Sequence, residues 1–384
     1  MTDETQPDPS SGSDTPLARE LKEAIEASGP LTVEQYMALC LGHPRHGYYM
    51  TRDPLGIAGD FVTAPEISQM FGELIGLWSA EVWRLMGEPG IVNLVELGPG
   101  RGTLMADALR AARAMPDFHA AINVHFVETS PVLRKLQTST LAKTGFDINW
   151  HDTVETLPEG PTIVIANEFF DALPIRQYVR TEGHWHERLV GLDSAGELTF
   201  GLTPAPESAL NRDAPDGVLM EFPAAAIITM RKLAEHIARN NGALLVIDYG
   251  YLRTGYGETL QAVRNHTFTG LLKEPGEADI TAHVDFSAMT EAARRAGATV
   301  QGPASQSDYL LRLGIRERAA ALSRHATPEQ ADAVAAALER LTDTGRAGMG
   351  QLFKVIAATH ASLPLLPGFD TLHKARQAIP GDSR

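Results

Sequence analysis

Acidic residues in this chain of 384 residues stand at the ends of apolar runs, where a parallel sheet would present them to a ligand. Glu96 lies at the end of the run 91–97, two positions before Gly98, and Gly100 and Gly102 follow at alternate positions. A glycine-rich turn between a strand and a helix lets a ligand lie against bare backbone, because no Cβ blocks the approach. The dinucleotide fingerprint G-x-G-x-x-G needs a third glycine where Thr103 stands, and no Lys-Ser or Lys-Thr pair follows to make a phosphate-binding loop. An acid ahead of G-x-G-x-G suits instead a small cationic ligand whose amino and sulfonium groups Glu96 would attract.

The next apolar run, 122–127, ends in Glu128. In a nucleoside-binding βαβ unit an acid there can accept hydrogen bonds from both ribose hydroxyls. A weaker strand, 147–150, leads to Asp152, placed to bond an adenine amino group with Trp150 covering the ring. The fourth run, 161–166, opens into Asn167-Glu168-Phe169-Phe170-Asp171-Ala172-Leu173-Pro174, an amide, two carboxylates and two aromatics at a strand end. Either this segment faces the bound ligand, or Asn167 caps a helix whose first turn carries Glu168 and Asp171. Asp60 and Phe61 belong to a loop, 56–66, that either folds over the ligand or supplies acids to a helix N-terminus.

These residues need a doubly wound α/β sheet to hold them, and alternating strand and helix patterns supply it. The helical stripe from Leu104 to Ala112 follows the glycine turn, and Ser130-Pro131 opens the helix after Glu128. Ahead of the sheet, 16–90 reads as a helical region: a helix at 17–27, a capping box at Thr32 and Gln35, and an apolar face running unbroken from Ile67 to Leu85. The domain proper spans 91–362, with insertions at 175–222 (a β meander), 250–284 and 303–345. Residues 1–15 are expected to be a disordered tail and 363–384 a loose one.

The formal net charge of −15 argues against nucleic acid as the main partner, and an acidic surface suits a basic protein segment. With one cysteine, Cys40, the chain can form neither an internal disulfide nor a cysteine zinc cluster, and no metal is expected. The acidic, Pro/Ser-rich start lacks the features of a signal or transit peptide, and no apolar run reaches membrane-spanning length, so a cytoplasmic protein without membrane insertion is expected.

The glycine turn resembles motif I of class I S-adenosylmethionine-dependent methyltransferases. With GDFVTAPEISQMFGELIG, NEFFDALPIRQY, VIDYGY and GEADITAHVDF beside it, the chain resembles the MidA-type protein-arginine methyltransferases, the family of the mitochondrial complex I assembly methyltransferase and its bacterial relatives. That resemblance implies a Rossmann-like class I methyltransferase fold with seven strands, S-adenosyl-L-methionine as cofactor, and symmetric dimethylation of an arginine in a complex I subunit. Carried onto this sequence, it puts Glu96, Gly98, Gly100 and Gly102 at the cofactor turn, Glu128 at the ribose, and Asn167 to Asp171 before the substrate. Relatives often carry Asp where Asn167 stands. On this reading Glu168, then Asp171, would fork two guanidinium nitrogens, and Phe169 or Phe170 would pack on the planar cation. His283 and Asp285 could accept the released proton or simply form a turn and a helix cap. Two other classes fit fewer features: a cofactor-binding assembly chaperone without essential catalysis, and a nucleotide-dependent oxidoreductase.

Overall fold

The computed structural model describes residues 14–52, 63–345 and 348–370. Seven strands make the central sheet: β1 (Val92–Leu97), β2 (Ile122–Val127), β3 (Ile148–His151), β4 (Thr162–Asn167), β5 (Gly242–Tyr251), β6 (Thr299–Ser305) and β7 (Phe353–Thr359). Their spatial order is β6-β7-β5-β4-β1-β2-β3, parallel except for β7, which runs antiparallel to both neighbours. A two-residue strand, Val284–Asp285, adds to the end of β5. β1 and β4 are buried at every position, as strands covered on both faces must be.

Helices Gln69–Leu85 and Thr103–Ala112 cover one face, around Phe71, Trp78 and Met105. Their backbones meet closely: a Cβ on Gly76 would lie 2.6 Å from the Ala108 Cα. Helices Ala224–Asn240 and Phe286–Arg295 cover the other face, around Met230, Phe286 and Met289. The strand order reverses at β1, whose neighbours are β4 and β2, so a crevice opens beyond the carboxyl ends of these strands.

The walls above that crevice come from the insertions and the N-terminal region. Strands Arg176–Thr181, His184–Leu192, Leu198–Leu202 and Leu219–Phe222 form an antiparallel sheet extended by Leu31–Thr32. Helix Val33–Gly42 begins at the capping box of Thr32 and Gln35. It shares a core with helix Pro16–Ser28 and with the small sheet Gln261–Arg264, Thr267–Thr269 and Asp279–Thr281, through Tyr36, Met37, Val190 and Ile280.

Two expectations change. The apolar face from Ile67 does not belong to one continuous helix: Ala64–Ile67 ends at Ser68, whose extended backbone and side-chain bond to Met70 N start Gln69–Leu85 afresh. The tail is not loose between 363 and 370. Leu363, Leu366 and Phe369 are buried in the main core, Trp78 Nε1 donates to Pro367 O at 3.2 Å, and Gln301 bonds both Pro364 O and Leu366 N.

Candidate active site

A cavity of about 590 Å³ occupies the crevice and is lined by Glu96, Gly98, Gly100, Glu128, Asp152, Asn167, Glu168, Phe169 and Asp171. Gly102 stands behind the turn as the residue preceding helix Thr103–Ala112. Asp60 and Phe61 lie outside the described residues. Phe170 does not line the cavity: it is buried beneath, edge-on to Phe169 with ring centroids 5.3 Å apart. His283 also faces elsewhere, its imidazole edge-on to Tyr249, and Asp285 caps helix Phe286–Arg295 by accepting from Ala288 N.

The glycine turn has φ of +54°, +54° and +82° at Gly98, Gly100 and Gly102, a region that favours glycine. A Cβ on Gly98 would stand 3.0 Å from the Phe169 ring, so the bare backbone leaves space that a side chain would fill. Burial pushes the Glu96 carboxyl well above the usual carboxylate range, against the pull of a bond from the Met105 backbone. Its Oε2 has no hydrogen-bond partner among the described residues. Burial also raises Glu128, which accepts from Ser130 N at 2.7 Å and Gln137 Nε2 at 3.1 Å.

Gln137, which sequence reasoning missed, ties this end together. Its Nε2 also donates to Gly100 O at 2.8 Å, and its Oε1 accepts from Trp150 Nε1 at 2.8 Å. Trp150 is thus turned toward Gln137 and does not line the cavity. Asp152 sits at the mouth, its side chain 78% exposed and paired with Arg134 at 2.6 Å.

No helix follows β4, so the helix-cap alternative for Asn167 fails. Glu168 instead adopts φ +50°, and a left-handed non-glycine residue costs about 1–2 kcal/mol. Its Oε1 accepts from Ala64 N and Asn167 Nδ2, each at 3.2 Å. Burial, with the like charge of Asp171 adding to it, pushes Glu168 up to about 7. Burial raises Asp171 to about 6, against hydrogen bonding from Tyr249 and backbone N–H groups. Asn167 Oδ1 and Asp171 Oδ1 are both buried without a partner among the described residues.

Further cavity residues come from elements remote in sequence. Tyr49 donates to Asp279 Oδ1 at 2.8 Å, and its carbonyl accepts from Ser130 Oγ at 2.6 Å beside the Glu128 site. Glu66 accepts from Thr103 Oγ1 at 2.5 Å and pairs with Arg101 at 3.4 Å, fastening helix Ala64–Ile67 to the glycine turn. Of these, Glu66 and Asp279 fall in the PEISQ and GEADIT stretches that carry the family resemblance, and no spacing rule assigned these residues a role.

An acidic cavity at the topological switch point, with a glycine cradle at one end and two close carboxylates at the other, defines a nucleoside-cofactor transferase site. Residues 74–304 match the family described as "Putative S-adenosyl-L-methionine-dependent methyltransferase", and the chain belongs to that family. Among similar proteins, the Drosophila melanogaster mitochondrial protein arginine methyltransferase NDUFAF7 homolog is 36% identical, over 96% of this chain and 88% of its own. Human mitochondrial protein arginine methyltransferase NDUFAF7 is 37% identical, over 79% of this chain and 74% of its own. A crystal structure from Burkholderia thailandensis bound to S-adenosyl-homocysteine shares 31% identity, a TM-score of 0.81, and coverage of 92% of this chain and 94% of that one. The cytoplasmic expectation is overturned by the relatives, which are mitochondrial by name. Among the described residues no helix is long and apolar enough to cross a membrane.

The residues fit S-adenosylmethionine. Glu96 Oε2 is a buried acceptor without a partner among the described residues beside a Cβ-free turn, and a cationic amino acid moiety supplies what it lacks. Glu128 and Asp152 line the same cavity.

Proposed function

We propose that this methyltransferase acts on arginine in a protein segment, with S-adenosyl-L-methionine held by Glu96, the turn at Gly98, Gly100 and Gly102, Glu128 and Asp152. The observation that carries the reading is one cavity with three buried acceptors, Glu96 Oε2, Asn167 Oδ1 and Asp171 Oδ1, that lack partners among the described residues. A sulfonium amino acid and a guanidinium bring the donors and positive charge that such acceptors need.

When bound, the cofactor supplies an electrophilic methyl group on a positively charged sulfur. The chain's task is to hold a guanidinium nitrogen in line with it and to remove a proton. Glu168 Oε1 is already occupied by two N–H groups, which leaves Oε2 to accept from the substrate. Asp171 Oδ1 and Asn167 Oδ1 offer further acceptors close by, so the grip is divided between two carboxylates and an amide. Bonding two nitrogens to acids concentrates positive charge there and leaves electron density on the third. A carboxylate held near 7 is also a better proton acceptor than an ordinary one, which suits Glu168 for the proton the nitrogen sheds. Phe169 lines the cavity where it can pack on the guanidinium face.

The acidic chain suits a basic partner, and the family resemblance suggests a respiratory complex I subunit, symmetrically dimethylated, as the target. Mass spectrometry of complex I subunits from cells with and without the gene tests this. Loss of a methylated arginine from one subunit in the deletion strain is expected. Unchanged methylation alongside failed complex I assembly would favour the chaperone reading.

A further inference from the structure

The turn that carries Glu168 and Asp171 closes one backbone bond of its own, Leu173 N to Phe170 O at 3.2 Å, and is otherwise tied to neighbouring elements. Glu168 N donates to Ile247 O at 2.9 Å, on β5 where its pairing with β4 ends. The next residue, Asp248, is wholly buried and does not line the cavity. Its Oδ2 accepts from Phe170 N at 3.0 Å and Asp171 N at 3.3 Å, and its Oδ1 accepts from Tyr249 N at 2.9 Å. Those three backbone N–H groups are its hydrogen-bond partners among the described residues.

A carboxylate without a cation partner is a costly choice for a buried site. Burial, with the like charges of Asp171 and Glu168 adding to it, raises its pKa well above the ordinary value. Its merit is geometric, because it presents acceptors on two edges at once. One edge gathers consecutive N–H groups of the turn and the other holds the strand it springs from. That clamp opposes the left-handed strain at Glu168.

We propose that Asp248 is the positioning residue that fixes Glu168 and Asp171 against the substrate, a role that rests on reading those two acids as the guanidinium grip. The Asp248→Asn variant keeps the shape and one accepting edge. Its amide nitrogen must then face an N–H, donor against donor. The glycine turn springs from β1 and supplies none of the hydrogen-bond partners of Asp248, so cofactor affinity is expected to persist.

The test measures methyl transfer to an arginine-containing peptide and calorimetric affinity for S-adenosylhomocysteine, on the full chain. Asp248→Asn is expected to lower kcat by about 10- to 100-fold while affinity stays within about twofold of wild type. A kcat within about twofold of wild type overturns the proposal, as does an affinity that falls in step with kcat. Glu168→Gln serves as the control. If that variant is fully active, the grip reading itself has failed, whatever Asp248 does. Should Asp248→Asn not fold, amide exchange in the wild-type chain decides. Phe170 and Asp171 N–H are expected to exchange about 10²-fold or more slowly than in an unstructured peptide, and unprotected exchange overturns the clamp.

Discussion

Replacing Glu168 with Gln keeps its volume, removes its charge, and loses activity in a way that depends on pH. Because Ala64 N and Asn167 Nδ2 occupy Oε1, the substrate loses one charge-assisted bond, at Oε2. Hydrogen bonds to charged groups contribute about 1.5–3 kcal/mol, or about 10- to 10²-fold in kcat/KM. Glu168 titrates at about 7. At pH 8 it is mostly ionised and the full loss is expected. At pH 6, about nine-tenths of it is already protonated in the wild type, so the gap narrows. The assay is transfer of labelled methyl from S-adenosylmethionine to an arginine-containing peptide at both pH values, with S-adenosylhomocysteine affinity by calorimetry as the control. Equal transfer by wild type and Glu168→Gln at pH 8, with normal affinity, would refute the assignment.

Asp171→Asn removes a like charge beside Glu168, so the acid limb of the kcat/KM profile is expected to shift below pH 7 even as activity falls, as read from a pH series on the same peptide. Glu96→Gln relieves a buried carboxylate. Because its folded pKa is raised, the penalty is absent below the unfolded carboxylate value of about 4.3, sets in as pH rises above it, and grows until pH passes the folded value. The apo variant is therefore expected to melt higher than wild type at pH 8, while S-adenosylhomocysteine affinity drops about tenfold or more in calorimetry. Gln137→Ala cuts the ties among Gly100, Glu128 and Trp150, and a loss of cofactor affinity of about 10-fold is expected by the same measurement. Leu366→Ala, in the packed segment before residue 370, is expected to cost about 2–5 kcal/mol in chemical denaturation, where a truly loose tail would cost nothing.

The sheet was legible because its strands are covered on both faces, and continuous apolar runs such as 161–166 and 243–247 mark them directly. Glu96, Glu128, Glu168 and Asp171 stood out because each follows such a run, and the cavity brings them together. Where a role depended on a side chain's partner, local reading was insufficient. Trp150 beside Asp152 suggested a cover for an adenine ring, but Gln137, from the preceding helix, draws its indole away. Tyr49, Asp279 and Asp248 reach the site through pairings across more than 75 residues, which no spacing pattern encodes. Ser68 broke an apolar stripe that kept its helical period, because a capping hydroxyl can restart a helix without disturbing that period. The segment 363–370, rich in proline and short of periodicity, resembled a tail, yet Leu366 and Phe369 are core residues held by Gln301, Trp78 and Arg312.

The most direct measurement is single-turnover transfer from labelled S-adenosylmethionine to paired peptides that differ only in carrying arginine or lysine at the target position. A cavity whose acceptors divide among Glu168, Asp171 and Asn167 is built for a planar, many-donor cation, so label is expected on a guanidinium nitrogen of the arginine peptide alone. Equal labelling of the lysine peptide, or none of either while S-adenosylhomocysteine still binds, would contradict it.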